Sequence, residues 1–172
     1  MKVDIDEKEE KKLTIKDIVG TIASAIIISI IIIQFIAPTV VDGISMNNTL
    51  KDGQHLILNK VAYKNNKPKY KDIVVIKRDD LTVKYLIKRV IAVGGDHLVI
   101  KDNKVYVNDI LLNEDYINQN ETMITDDIDV EIPEGKVFVM GDNRNHSVDS
   151  RSAIIGLIDI ETEIYGKIFG NM

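Results

Sequence analysis

Residues 82–93 read Thr-Val-Lys-Tyr-Leu-Ile-Lys-Arg-Val-Ile-Ala-Val and stop at Gly94-Gly95-Asp96. Branched and aromatic residues dominate the stretch, and the glycines with aspartate supply a turn, so a long β-strand is predicted. Residues two apart on a strand share a face, which sets Lys88 beside Leu86 and Val90, both apolar. Shorter runs of the same kind lie on either side. Residues 55–59 and 72–76, separated by a loop rich in lysine and asparagine that holds Pro68, are expected to pair as antiparallel strands. Residues 97–100 and 105–107 read as a hairpin around Asp102-Asn103. Residues 132–135 form a turn before a buried strand at 137–140, and 154–169 hold a last strand or two. Residues 113–129 are polar and aperiodic, a surface excursion. Strands at short intervals, with no repeat, heptad or phosphate loop, predict a mainly β domain, an antiparallel sheet or barrel-like body.

Upstream the pattern changes. Residues 18–41 are 24 residues without a charge, about 36 Å as a helix, more than the roughly 30 Å of a hydrocarbon core. A cleavable secretory signal would have an apolar region of only about 7–15 residues before a small-residue cleavage site. A buried core helix would need a polar face that the isoleucines leave no room for. One retained transmembrane α-helix is therefore expected ahead of the β domain. Lys8, Lys11, Lys12 and Lys16 flank it on the amino-terminal side, and no Lys or Arg follows until Lys51, so the N-terminus is expected in the cytoplasm of a single-pass protein of the cell membrane. The expected organisation is a charged cytoplasmic tail at 1–17, an anchor at 18–41 and an extracytoplasmic domain at 42–172.

The 172-residue chain has no cysteine, which excludes disulfides and thiolate metal sites. His55, His97 and His146 lack zinc-ligand spacing, so no metal or cofactor is expected. After the span, 17 basic and 21 acidic residues are interspersed, which argues against a nucleic-acid partner.

Three places carry chemistry. Gly43-Ile44-Ser45-Met46 puts a hydroxyl where glycine allows close backbone approach, as a serine nucleophile beside N–H donors requires, although a structural serine fits the same tripeptide. Lys88 on an apolar strand face would be desolvated, which lowers a lysine's pKa toward that of a general base; a lysine snorkelling from an edge strand is the plainer alternative. Residues 141–151, Gly-Asp-Asn-Arg-Asn-His-Ser-Val-Asp-Ser-Arg, form a dense polar loop after a buried strand, in which Asp149 is expected to pair with Arg151 or Arg144.

Ser45-Met46 with Thr49-Leu50, the run Tyr-Leu-Ile-Lys-Arg-Val-Ile at 85–91 before Gly95-Asp96, and the loop at 141–151 resemble, in order and spacing, the successive boxes of type I signal peptidases. The single anchor and small size are similar to the Gram-positive form. The resemblance implies a membrane-bound serine endopeptidase that removes signal peptides from exported preproteins through a Ser/Lys dyad. Ser45 would be the nucleophile, Lys88 the general base, and the Ser45 N–H an oxyanion donor. Ser147 would orient the lysine, with Asp149 and Arg151 as a supporting ion pair. Signal peptides would lie extended beside the lysine strand, with Gly43, Ile44, Met46, Leu86 and Ile87 as wall residues selecting small side chains. The bilayer and the secretion translocon are the further partners implied. The chain departs from the family at Asn48, where proline is usual, and at Gly43, where some relatives carry a hydroxyl.

Two rival readings follow. Asn48 motivates a tethered pseudo-peptidase or pilus or secretion assembly factor that holds exported segments without cutting them. Ser45, His146 and Asp149 would alternatively form an acyl-transfer triad. The sequons at 47–49 and 145–147 overlap the expected site, where glycans would block it, which favours a bacterial host.

Overall fold

The computed structural model describes residues 14–80 and 82–171. The expected charged tail lies outside the described residues up to position 13. The chain forms two units, a single helix and a β body.

Helix α1 (Ile15–Phe35) is capped by Thr14, whose hydroxyl accepts the Asp17 N–H at 3.3 Å while the Asp17 carboxylate takes the Thr14 N–H at 2.9 Å. Its 21 residues span about 31 Å and none is buried, so it is long and apolar enough to cross a membrane. The apolar run expected to be one span to residue 41 divides at Phe35. Ile36–Val40 is strand β1 instead. Pro38 lacks an N–H and turns its predecessor away from helical φ/ψ, so residues equally apolar to lipid enter the sheet. Proline is tolerated because β1 lies at the sheet edge.

The strands that follow are β2 (His55–Asn59), β3 (Ile73–Lys77), β4 (Tyr85–Val93), β5 (His97–Lys101), β6 (Lys104–Val107), β7 (Ile110–Leu111), β8 (Ile128–Glu131), β9 (Lys136–Met140), β10 (Ile158–Asp159) and β11 (Ile164–Asn171). A curled seven-stranded antiparallel sheet has the order β1-β2-β11-β3-β4-β9-β10, and a four-stranded sheet the order β7-β6-β5-β8. The fold is mainly β, an antiparallel half-barrel preceded by one apolar helix.

The β5–β6 hairpin turns on Asp102 and Asn103 at φ +50° and +62°, the type I′ geometry these residues tolerate. The expected pairing of β2 with β3 is corrected. Strand β11 lies between them, Lys167 facing Asn59 on one side and Val74 on the other. Nothing local in either strand marks a partner that lies about ninety residues from β3 and more than a hundred from β2.

β3 and β9 are apolar at successive positions because both their faces are covered. Val74, Ile76, Val90, Val137 and Val139 pack on one side. Val75 joins Met46, Leu50, Leu56 and Leu58 on another, directly beneath the residues around Ser45. Each such fully buried aliphatic side chain contributes about 1.5–3 kcal/mol, so the segment carrying Ser45 is anchored by Met46 and Leu50.

Candidate active site

Ser45 sits in the turn between β1 and β2. Gly43 begins that turn at φ +95°, a conformation that disfavours other residues, and donates its N–H to the Asp52 carboxylate at 2.8 Å. Lys88 comes from β4, and its Nζ lies 2.7 Å from the Ser45 Oγ. Forty-three residues of sequence separate the pair, and the curl of the sheet closes the gap.

Lys88 is only 3% exposed. Burial lowers its pKa to about 8; the Arg151 charge acts the same way, while Asp149 and Asp142 oppose it. An appreciable fraction of the amine is therefore neutral near physiological pH, which an exposed lysine is not. Among the described residues no acceptor takes the Ser45 N–H, which leaves it available to an incoming oxygen.

The loop after β9 braces this pair from behind. Asn143 donates its N–H to the Ser45 carbonyl and its Nδ2 to the Ile44 carbonyl, each at 3.0 Å. Gly141 leaves no room for a side chain, since a Cβ there would stand 2.5 Å from the Ser45 carbonyl oxygen and collide with Ser147. Asp149 accepts Arg151 Nε and Nη2, both at 2.8 Å, and the Gly141 N–H at 2.9 Å. Burial alone would raise its pKa, but these donors win and hold it below the ordinary aspartate value. Of the two partners expected for Asp149, Arg151 is the one present. Arg144 is turned to Glu114 in a buried pair instead.

Ser147 was expected to orient Lys88. Its hydroxyl is buried against Gly141 and makes no hydrogen bond with the amine. His146 is exposed in a short 3-10 turn (Arg144–His146) and bonds neither Ser45 nor Asp149, whose oxygens Arg151 and Gly141 already engage. The histidine triad is not assembled.

A cleft of about 510 Å³ opens beside the Ser45–Lys88 pair, walled by Pro38, Thr39 and Val40 of β1, Met46, and Leu86 and Ile87 of β4. Gly43 and Ile44, the other expected wall residues, do not line it. Ile44 is 48% exposed, its carbonyl held by Asn143, because the turn brings Ser45 and Met46 inward. β4 pairs with β3 throughout 85–89 but meets β9 only from Arg89 onward. Among the described residues its other side at 85–88 is therefore an open edge.

A family model described as signal peptidase, peptidase S26, matches residues 15–170. The chain belongs to this family. It is a signal-peptide-removing serine endopeptidase with an N-terminal apolar helix of the kind that anchors the family in membranes. It is 37% identical to a signal peptidase I of Bacillus licheniformis, over 90% of this chain and 87% of the relative. It is 38% identical to signal peptidase IB of Staphylococcus aureus (strain COL), over 86% and 84%. A crystal structure of a signal peptidase I from Enterococcus faecalis V583 is similar at 28% identity and a TM-score of 0.51, covering 60% of this chain and 98% of that one.

Reading the sequence missed Glu114 and Asn143 as supports of this site. Glu114 falls in the aperiodic excursion and carries no signal; Asn143 stands between Asp142 and Arg144 in the polar loop, and nothing in its sequence context distinguishes it as a brace.

Proposed function

We propose that Ser45 and Lys88 form the catalytic dyad, with the serine as nucleophile and the lysine as general base. The 2.7 Å approach of a buried amine to the hydroxyl is the observation that carries this reading. Neutral Lys88 takes the Oγ proton as Ser45 attacks the scissile carbonyl, and the oxyanion is met by the Ser45 N–H. The ammonium returns the proton to the leaving amine as the C–N bond breaks. Water, deprotonated by Lys88, then adds to the acyl-enzyme and releases Ser45.

The substrate is the signal peptide of an exported preprotein, taken up extended along the open edge of β4 by main-chain hydrogen bonding. Met46, Leu86 and Ile87 bound the space for its side chains, with Ile44 and Gly43 at the outer margin. Lys8, Lys11, Lys12 and Lys16 favour a cytoplasmic N-terminus by the positive-inside rule, so the β body works outside the cell membrane, with the bilayer and the secretion translocon as its further partners. Asp149 and Arg151 hold the loop behind the dyad in shape, and Ser147 fills the space beside Gly141.

The test is cleavage of a preprotein by the wild type, Ser45→Ala, Lys88→Ala and His146→Gln. Loss in the first two variants with most activity kept in the third supports the dyad. No processing by any of the four, wild type included, would mean a non-cleaving holder of exported segments; equal processing by all would take the reaction away from Ser45 and Lys88, and a collapse of His146→Gln would make histidine the base.

A further inference from the structure

Asn48 has φ +89°, in the left-handed half of backbone space. Its side chain is exposed and makes no hydrogen bond among the described residues. Whatever this residue contributes, it contributes through its backbone.

That backbone closes a tight reversal. The Met46 carbonyl accepts the Thr49 N–H at 3.1 Å and the Leu50 N–H at 2.8 Å, with Asn48 at the position where a type II turn needs φ near +80°. Met46 and Leu50, on either side, are buried in the core beneath Ser45. Thr49 is thereby presented to the loop after β9. Its hydroxyl donates to Asp142 Oδ2 and accepts Arg89 Nη2 at 3.2 Å. Arg89 is the residue after Lys88 on β4 and holds Asp142 through a buried two-pronged pair. The turn therefore links the segment bearing Ser45 to the strand bearing Lys88 through one hydroxyl.

We propose that Asn48 is a positioning residue, whose left-handed backbone rather than its amide seats Thr49 on the Arg89–Asp142 pair and so fixes the Ser45 hydroxyl at Lys88. The proposal rests on the Ser/Lys reading above. A proline ring holds φ near −65° and cannot occupy this conformation. The proline usual in the family pattern is therefore not interchangeable with Asn48 here. Glycine can adopt φ +89° freely, and Asn is among the residues that tolerate the left-handed region best.

The experiment compares full-length wild type with Asn48→Gly, Asn48→Pro, Asn48→Ala and Thr49→Val, reading kcat and KM on a preprotein, thermal melting, and the Lys88 titration by NMR of ¹³Cε-labelled lysine. Glycine should rescue, with kcat within about twofold of wild type and an unmoved Lys88 midpoint, since φ is retained. Proline should lower kcat about 100-fold, as a displacement of about 1 Å does, with KM little changed and the Lys88 midpoint moved. If proline prevents folding, alanine carries the test. It should melt cooperatively and lose about fivefold in kcat, reflecting the cost of placing an ordinary side chain in the left-handed region. Thr49→Val should show the same split, kcat falling and KM holding.

Proline and alanine variants as active as wild type would overturn the proposal, and so would a glycine variant as impaired as proline, since the amide would then be what matters. If the wild type fails to cleave while the Lys88 midpoint still follows the substitutions in this order, the peptidase reading fails and the positioning role stands.

Discussion

Arg89 and Asp142 are joined by two parallel hydrogen bonds, Nε to Oδ1 at 2.8 Å and Nη2 to Oδ2 at 2.6 Å, with both side chains buried. The guanidinium also donates to the Lys71 carbonyl at 3.0 Å and lies 4.1 Å from the centre of the Tyr116 ring. A fork of this kind fixes orientation as well as distance, which a lysine's point charge does not. It ties β4, immediately after Lys88, to the loop that braces Ser45.

Removing one member leaves the other charge buried without a partner. Asp142→Ala should destabilise the protein by about 3–5 kcal/mol in a denaturant titration, far more than loss of an exposed pair. Arg89→Lys should recover only part of this, because an ammonium cannot make both parallel bonds. Equal midpoints for wild type and Asp142→Ala would show the fork to be dispensable.

Gly141→Ala tests the brace at its tightest point. The added methyl would stand 2.5 Å from the Ser45 carbonyl oxygen, against backbone that cannot swing aside. Overpacking of this sort costs about 1–3 kcal/mol, and a shift of the Ser45 hydroxyl by about 1 Å should lower the rate about 100-fold if it is the proposed nucleophile. Single-turnover cleavage should therefore fall much more than the melting temperature. Full activity in the alanine variant would mean the loop yields without disturbing Ser45.

Glu114 links the long excursion to the same brace. Its carboxylate holds Arg144 with both groups buried, and Arg144 in turn donates to the Gly141 carbonyl at 3.3 Å. Glu114→Ala should cost about 3–5 kcal/mol by stranding Arg144 and should open residues 113–127 to limited proteolysis. A wild-type cleavage pattern and midpoint would show that the excursion is held elsewhere.

How much of this was legible depended on the range of the interaction. The Asp102–Asn103 turn was readable because two neighbouring residues suffice to set its φ angles. The buried character of Lys88 followed from alternation along one strand, and Leu86 and Val90 do pack into one core cluster. The end of α1 was misplaced because residues 36–40 suit lipid and sheet alike, and Pro38 alone marked the difference. The partner of β2 and β3 was hidden, since β11 arrives from the far end of the chain. Glu114 could not be found because a buried carboxylate reads in sequence like a solvated one. Ser45 and Lys88 stood out through their motifs, whereas the distance between them is a product of the fold alone.

The pH dependence separates the proposed general-base role of Lys88 from its effect on stability. With its pKa lowered to about 8 by burial, the amine is increasingly neutral as pH rises, so kcat/KM should climb through about pH 8 and level off above it. In the unfolded chain the amine titrates near 10.5. Below pH 8 both states are protonated, and the folded state carries the full cost of a buried ammonium. Between pH 8 and 10.5 the unfolded state binds more protons than the folded one, so stability rises with pH and the cost is shed. Lys88→Met, of similar length and without a charge, should therefore be inactive yet more stable than wild type by up to about 3 kcal/mol below pH 8, the advantage fading as pH approaches 10.5. Urea midpoints measured at pH 6.5 and pH 10 check this directly. A methionine variant less stable than wild type at the lower pH would mean that the lysine is held charged and satisfied, and its role as a neutral base would have to be given up.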